Sequence, residues 1–301
     1  MMKFDGIVAF VATAETGSIS AASRRLGLAK SVVSNRLAEL ERVLDTRLIQ
    51  RSTRSLSLTE NGQSFLPRAQ RILREADEAA AELAARSGTL AGPLRLSAPV
   101  GFGILHLAPA LCRFMEQHAD IEVTLELDDR FVDAAAGGFD AVLRHGSVGD
   151  SRLIARRLAT SRRLLVASPD YLARMGQPET LSALQAHRGV LYAMRDGDWR
   201  FAEGDGWTVV RPAAALRVNN GLVMREAALA GLGITLLPSF FVHGQLQDGT
   251  LVALDVGAPA EGAELFIAYP RDHGASAKIR ALADSLKESF GDPPFWERDI
   301  A

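Results

Sequence analysis

One cysteine stands in the 301 residues. That single thiol, Cys112, excludes an intrachain disulfide framework and a cysteine-rich zinc site. Between Leu111 and Phe114 it reads as a small buried hydrophobe. The six histidines, His106, His118, His145, His187, His243 and His273, never fall at paired ligand spacing, so no metal is expected. Long apolar runs are missing too. The most hydrophobic stretch, Ala227 to Val242, is broken by Gly231, Gly233 and Pro238. It falls short of the ~20 apolar residues that span a bilayer, and no membrane partner is expected. Asp5 and Glu15 interrupt the apolar residues near the start and no small-residue cleavage site follows, so the cytoplasm is the expected location. Catalytic signatures are equally scarce. Gly146-Ser147-Val148-Gly149 has His145 where a nucleophile elbow needs glycine. Gly101-Phe102-Gly103 lacks the third glycine of a dinucleotide fingerprint. The adjacent carboxylates Asp128 and Asp129, at a strand end, read as solvated rather than catalytic. Neither an enzyme activity nor a cofactor is expected.

What is present is divided unevenly along the chain. The formal net charge is −2, yet residues 1–62 hold nine basic and six acidic groups, a surplus of three positive charges that leaves −5 on the remainder. Phosphate binding needs local positive charge, not a basic whole protein. Within that first segment Phe4, Ile7, Val8, Phe10, Val11 and Ala14 recur at helical spacing. Gly17-Ser18 ends that helix, and Ser18 or Ser20 can cap a short second helix that Gly27 stops. A third helix follows, with Val32, Val33, Leu37, Leu40 and Leu44 expected to face inward. Short helix, glycine-containing turn and helix are the requirements of a helix-turn-helix, whose second helix sends its N-terminal residues into the major groove of double-stranded DNA. Those residues are Ala29, Lys30, Ser31, Val32, Ser34, Asn35 and Arg36. Lys30 and Arg36 suit guanine acceptors or phosphates, Asn35 suits adenine, and the two serines permit close approach. Leu48-Ile49 and Leu56-Ser57-Leu58 flank Arg51-Ser52-Thr53-Arg54, a pattern of two short strands with a basic tip. Three-helix folds of other function share this spacing.

A long helix is expected from about Thr59 to Ser87. Phe65, Ala69, Ile72, Ala76, Ala79 and Leu83 recur there near a heptad spacing, which points either to pairing with another chain or to packing on its own domain. Ser87-Gly88 and Gly92-Pro93 mark a linker. Beyond it, strand-like segments (94–98, 121–127, 139–143, 163–167, 189–193, 214–218, 234–237 and 265–269) alternate with helical ones, notably 103–117, 221–232 and 275–290. Such alternation predicts α/β structure with largely parallel sheets, and two sheets over that length.

Ala21-Ala22-Ser23-Arg24-Arg25-Leu26 with Val33-Ser34, Leu37 and Leu40-Glu41 resembles the helix-turn-helix of LysR-type transcription regulators. So does Leu48-Ile49-Gln50-Arg51 followed by Leu58-Thr59-Glu60-Asn61-Gly62. The resemblance implies an α+β multidomain protein: a winged helix-turn-helix over 1–62, a dimerisation helix over 63–92, and a two-lobed α/β effector domain over 93–301 similar to periplasmic solute-binding proteins. Lobe I would comprise about 93–161 and 268–301, and lobe II about 162–267, with crossovers near 161–164 and 264–268. Carried over by position, Lys30, Ser31, Ser34, Asn35 and Arg36 are the candidate major-groove residues, and Arg51, Thr53 and Arg54 the candidate wing. Many members have glutamine in place of Lys30 and arginine in place of Asn35, so base preference does not transfer. The implied cleft for a small-molecule effector contains Pro99, Val100, Gly101, Phe102, Arg144, His145, Asn219, Asn220 and Leu222. Arg144 would pair with a carboxylate or polar oxygen, while Asn219 and Asn220 could instead cap a helix. A homodimer or homotetramer is implied, and RNA polymerase is a further candidate partner. A solute-binding transport component would need an export signal and no DNA module.

Overall fold

Helix α1 (Phe4–Thr16) is buried around most of its circumference, including Gly6, Ile7 and the run from Ala9 to Thr13. It packs against α2 (Ile19–Leu26), α3 (Lys30–Leu44) and α4 (Glu60–Arg86) at once. An amphipathic stripe alone underestimates such a helix. Phe4, expected on the apolar face, is 48% exposed at the helix start. Strands β1 (Ile49–Arg51) and β2 (Leu56–Leu58) form an antiparallel hairpin between α3 and α4. The structure is a computed structural model that describes all residues except 52–55, 87–89, 131–137, 147–149, 196–198, 272–275 and 299–301, and describes only the backbone at 51, 74, 77, 78 and 80–86.

The heptad pattern of α4 splits in two. Ala69 is buried in the core built by Ile7, Phe10, Leu37 and Leu48, with Phe65 and Ile72 packed against it. This half therefore packs on its own domain. Ala76 and Ala79 are exposed, and the side chain of Leu83 lies outside the described residues.

The chain divides into two compact units, Met1–Gly92 and Pro93–Ala301. The second contains two five-stranded sheets among the described residues. Its elements run β3 (Gly92–Ala98), α5 (Val100–Phe102), a π-turn (Gly103–Leu107), α6 (Ala108–Gln117), β4 (Ile121–Leu127), β5 (Ala141–His145) and β6 (Leu153–Ser161). They continue with β7 (Arg163–Ala167), α7 (Pro169–Met175), α8 (Leu181–Leu184), β8 (Arg188–Tyr192), β9 (Arg200–Glu203), β10 (Gly206–Val209) and β11 (Ala213–Val218). The last are α9 (Gly221–Leu229), β12 (Ile234–Pro238), α10 (Ser239–Gln247), β13 (Val252–Leu254), β14 (Ala263–Pro270), α11 (Ala277–Phe290) and a 3-10 turn (Phe295–Glu297). The first sheet has the order β4-β3-β5-β14-β6 and the second β11-β8-β12-β7-β13, while β9 and β10 form a separate hairpin.

The sheets are mixed rather than largely parallel. β8 pairs parallel with β11 and β12, and β3 with β5. The strands next to the lobe crossovers break the pattern: β7 is antiparallel to β12 and β13, and β14 is antiparallel to β5 and β6. A parallel pair needs a helical or other long connection; a chain that steps directly from one sheet to the other is free of that constraint. The first crossover is the single residue Arg162 between β6 and β7. The second falls earlier than 264–268. Ala260 still bridges to Phe201 in the second lobe, and Ala263 already pairs with Ser161 in the first. All of β14 thus belongs to lobe I. Cys112 corrects another expectation: it is exposed, because α6 turns Ala110, Leu111 and Phe114 inward.

Candidate nucleic-acid interface and interlobe cleft

The helix-turn-helix is assembled by local bonds. Ser18 Oγ accepts from Ala21 N at 3.4 Å at the start of α2. Gly27, with φ 64°, closes the helix in the left-handed conformation that glycine adopts without strain. Gly27 N and Leu28 N then donate back to Arg24 O and Ser23 O at 3.3 and 3.0 Å. On α3, Val33, Leu37 and Leu40 face the core. Lys30, Ser31 and Asn35 are exposed, and Ser34 and Arg36 are half-buried. Val32, expected inside, is 37% exposed, since it projects about 100° from Val33 around the helix. Arg36 lies toward α1, where its guanidinium meets the Asp5 carboxylate at 2.7 Å. Ala29 at the start of α3 makes no side-chain cap, so the first N–H groups of that helix lack a capping side chain beside Lys30.

The hairpin is held to α3 by Glu41, whose Oε1 accepts from Leu48 N and Ile49 N at 2.8 and 3.0 Å. A Cβ on Gly62 would meet Leu48 O at 2.0 Å, so only glycine lets α4 start this close to β1. Thr59 caps α4 by accepting from Gly62 N at 3.0 Å. The side chain of Arg51, together with Thr53 and Arg54, lies outside the described residues.

In the second unit a cavity of about 390 Å³ opens between the sheets. From lobe I it is lined by Pro99, Asp129, Arg130, Arg144 and His145; from lobe II by Arg163, Tyr192, Asn219, Met224, Leu236 and others. Of the nine cleft residues expected, the structure brings Pro99, Arg144, His145 and Asn219 to this cavity. The other five do different work. Phe102 is fully buried, edge-on to Phe240, Phe290 and Trp296. Gly101 leaves room for Phe241, whose ring a Cβ would strike at 2.3 Å, and Gly221 does the same from lobe II. Val100, Asn220 and Leu222 join a clasp. Asp129 Oδ1 accepts from Val100 N at 2.9 Å and its Oδ2 accepts from Asn220 Nδ2 at 2.8 Å. Asn220 Oδ1 in turn caps α9 by accepting from Leu222 N and Val223 N.

Asp129 is therefore a bridge between the lobes rather than a solvated carboxylate. Sequence reasoning missed it, as it missed Arg163, Tyr192 and Phe241. The only available signal, a carboxylate just past a strand, is common on protein surfaces.

Burial sets the electrostatics. His145 stacks on Phe240 with centroids 4.6 Å apart, and both its ring nitrogens are buried without a hydrogen-bond partner. Burial, with His106 and Arg163 nearby, pushes its pKa down to about 3. His106 Nε2 donates to Phe240 O at 2.9 Å, and burial pushes this ring down to about 4. Burial also lowers the Arg144 guanidinium from its ordinary value, against the pull of Asp128. Around the first crossover, Glu297 accepts from Arg162 N, Arg162 Nε and Ser239 Oγ at 2.6, 2.8 and 2.5 Å. Trp296 Nε1 donates to Thr160 O at 3.1 Å.

Residues 4–63 match the bacterial regulatory helix-turn-helix family of lysR type, and residues 87–291 match the LysR substrate binding domain. The chain belongs to the LysR family. This LysR-type regulator is similar along its length to PtxR of Pseudomonas aeruginosa, at 33% identity over 98% of this chain and 95% of the relative. It is 32% identical to CrgA of Neisseria meningitidis over 95% of this chain and 96% of the relative. The solved structure of CrgA superposes with a TM-score of 0.62 at 29% identity, covering 95% of this chain and 98% of that one. The Vibrio cholerae virulence activator AphB superposes at 0.59 with 26% identity, covering 95% and 99%. The protein is thus a DNA-binding transcription regulator with an effector-binding domain and not an enzyme. No described helix is long and apolar enough to cross a membrane.

Proposed function

We propose that α3 reads an operator in the major groove and that a small effector in the interlobe cavity changes the affinity or footprint of that binding. In this reading residues 1–62 bind DNA, 63–92 pair protomers, and 93–301 sense the effector. Lys30, Ser31, Ser34 and Asn35 meet base edges and phosphates, Arg36 holds α3 to α1 at the edge of the interface, and Arg51, Thr53 and Arg54 supply the wing. Pro99, Arg144, His145 and Asn219 contact the effector. Homodimers or homotetramers form through the distal half of α4, act in the cytoplasm and meet RNA polymerase at the promoter.

The observation that carries this reading is the outward face of α3, where Lys30, Ser31 and Asn35 stand exposed behind a glycine turn. The exposed Ala76 and Ala79 support the pairing role of α4. An effector acts only through differential affinity for two arrangements, and a coupling of about 1–3 kcal/mol changes DNA affinity about 5–150-fold. A gel shift on the DNA upstream of the protein's own gene tests the reading. Asn35→Ala removes an adenine-type contact worth about 1–3 kcal/mol and relaxes sequence preference. Wild-type affinity and specificity in a folded Asn35→Ala protein contradict the placement of the recognition helix.

A further inference from the structure

Resting on the reading of the interlobe cavity as the effector site, we propose that Asp129 and Asn220 form a regulatory latch: their bridge holds the lobes together at one wall of that cavity, and its making or breaking sets the lobe arrangement to which DNA binding responds. The lobes have separate sheets and are joined by short lengths of chain. Arg162 alone forms the first crossover, and the second lies between the Ala260 bridge and the Ala263 pairing. Bodies joined in this way move on their hinges once the contacts between them give way. Beside the first crossover those contacts are buried: Ser161 Oγ meets Ser239 Oγ at 3.1 Å, and Ser239 N donates to Arg162 O at 2.8 Å. They belong to the pivot. The Asp129 bridge is different. Its two hydrogen bonds, from Val100 N at 2.9 Å and from Asn220 Nδ2 at 2.8 Å, are only part-buried. Asp129, Asn219 and Gly221 line the cavity, so the bridge stands in its wall.

The polarity of the bridge is fixed from both sides. Asn220 Oδ1 accepts from Leu222 N and Val223 N at 3.0 and 3.3 Å, so turning the amide over would cost α9 its cap. Asn220 Nδ2 therefore faces residue 129 as a donor, and Val100 N is a second donor. A side chain that meets two donors at once needs two acceptor oxygens; an ionised carboxylate has them, and an amide of the same shape has one. Bonds to an ionised acceptor are also about twice as strong as neutral ones. An apolar contact sits next to the bridge. The Phe241 ring of lobe II lies where a Cβ on Gly101 of lobe I would meet it at 2.3 Å, and one on Gly221 at 2.4 Å. Separating the lobes here loses the polar bridge and the Gly101–Phe241 contact together, which favours two discrete arrangements over a graded one. An effector in the cavity then needs only a different affinity for those two arrangements to act as a switch.

The test reverses the polarity of the bridge in the full-length protein, with no ligand added. Asn220→Asp keeps an oxygen to cap α9 and sets a second carboxylate against Asp129. Asp129→Asn sets an amide against the Asn220 amide. The double variant Asp129→Asn/Asn220→Asp rebuilds the bridge in reverse, the amide at 129 donating to the carboxylate at 220 and accepting from Val100 N. Amide hydrogen exchange of residues 99–103 and 219–224 reads lobe opening, with β12 as the control for an intact fold. Gel shifts and footprints on the upstream DNA read the regulatory output. Measurements at about pH 8 disfavour a proton shared between facing carboxylates. Each single variant is expected to speed exchange in both segments, and to change affinity for the upstream DNA, by at least about fivefold. The double variant is expected to return both to within about twofold of wild type. Exchange at wild-type rates in both single variants overturns the latch, and with DNA binding intact the regulator reading stands. Changes that the double variant does not reverse mark local damage rather than a broken bridge, and overturn it equally. Exchange that follows the bridge while DNA affinity and footprint stay constant overturns the regulatory role: the bridge then holds the lobes, and lobe arrangement does not govern DNA binding.

Discussion

Lowering the pH from 7 to 5 should weaken the 93–301 unit through two buried histidines. In the unfolded chain each titrates near 6.5; in the native state His145 stands at about 3 and His106 at about 4. The folded values are depressed, so between these limits the unfolded state binds more protons. Stability is fully present above about 6.5 and is lost as the pH falls toward about 4 for His106 and about 3 for His145. At pH 5 nearly a whole proton per histidine separates the two states, a loss of about 2 kcal/mol each and about 4 kcal/mol together. Burial lowers His187 and His243 as well, and their effect has the same sign. All three tryptophans, Trp199, Trp207 and Trp296, lie in this unit. Urea unfolding followed by tryptophan fluorescence at pH 7 and pH 5 therefore reports on it selectively. His145→Leu removes one titrating ring and its two unpartnered nitrogens, and the acid-induced loss should shrink by about 2 kcal/mol. An identical loss in wild type and His145→Leu refutes the assignment of His145 as a buried neutral ring.

Two further outcomes concern positions that hold the fold together. Glu297→Ala deletes the acceptor of three hydrogen bonds at the first lobe crossover, and should cost about 2–3 kcal/mol in urea unfolding of the same unit; wild-type stability contradicts the clamp. Gly62→Ala places a methyl group against the Leu48 carbonyl and should cost about 3 kcal/mol in the first unit, measured by thermal circular dichroism together with loss of DNA binding. An unaltered melting profile shows that α4 can shift freely at its start.

Features that depend on neighbours along the chain were legible from the residues. The turn at Gly27, the cap at Ser18, and the inward set of Val33, Leu37 and Leu40 all follow from local periodicity and backbone preference. So did most strands and the division into a helical and an α/β half. The same reasoning misplaced Val32 and Phe4, whose exposure depends on how many helices surround each one. It also passed over β6, because the burial pattern of Leu153–Ser161 does not alternate.

The cleft is where local reasoning stops. Arg144, His145, Pro99 and Asn219 were named from family resemblance, and the structure brings them to one cavity. Phe102 went instead to the core, and Asp129 became a lobe bridge only by meeting Asn220 across 91 positions of chain. The one-dimensional order of residues determined the helix-turn-helix, its outward basic face and the glycines that permit close approach. Which charges face each other across the lobes, and which rings lose contact with water, was decided by strand order and packing, since burial and Coulombic interaction depend on distance in space.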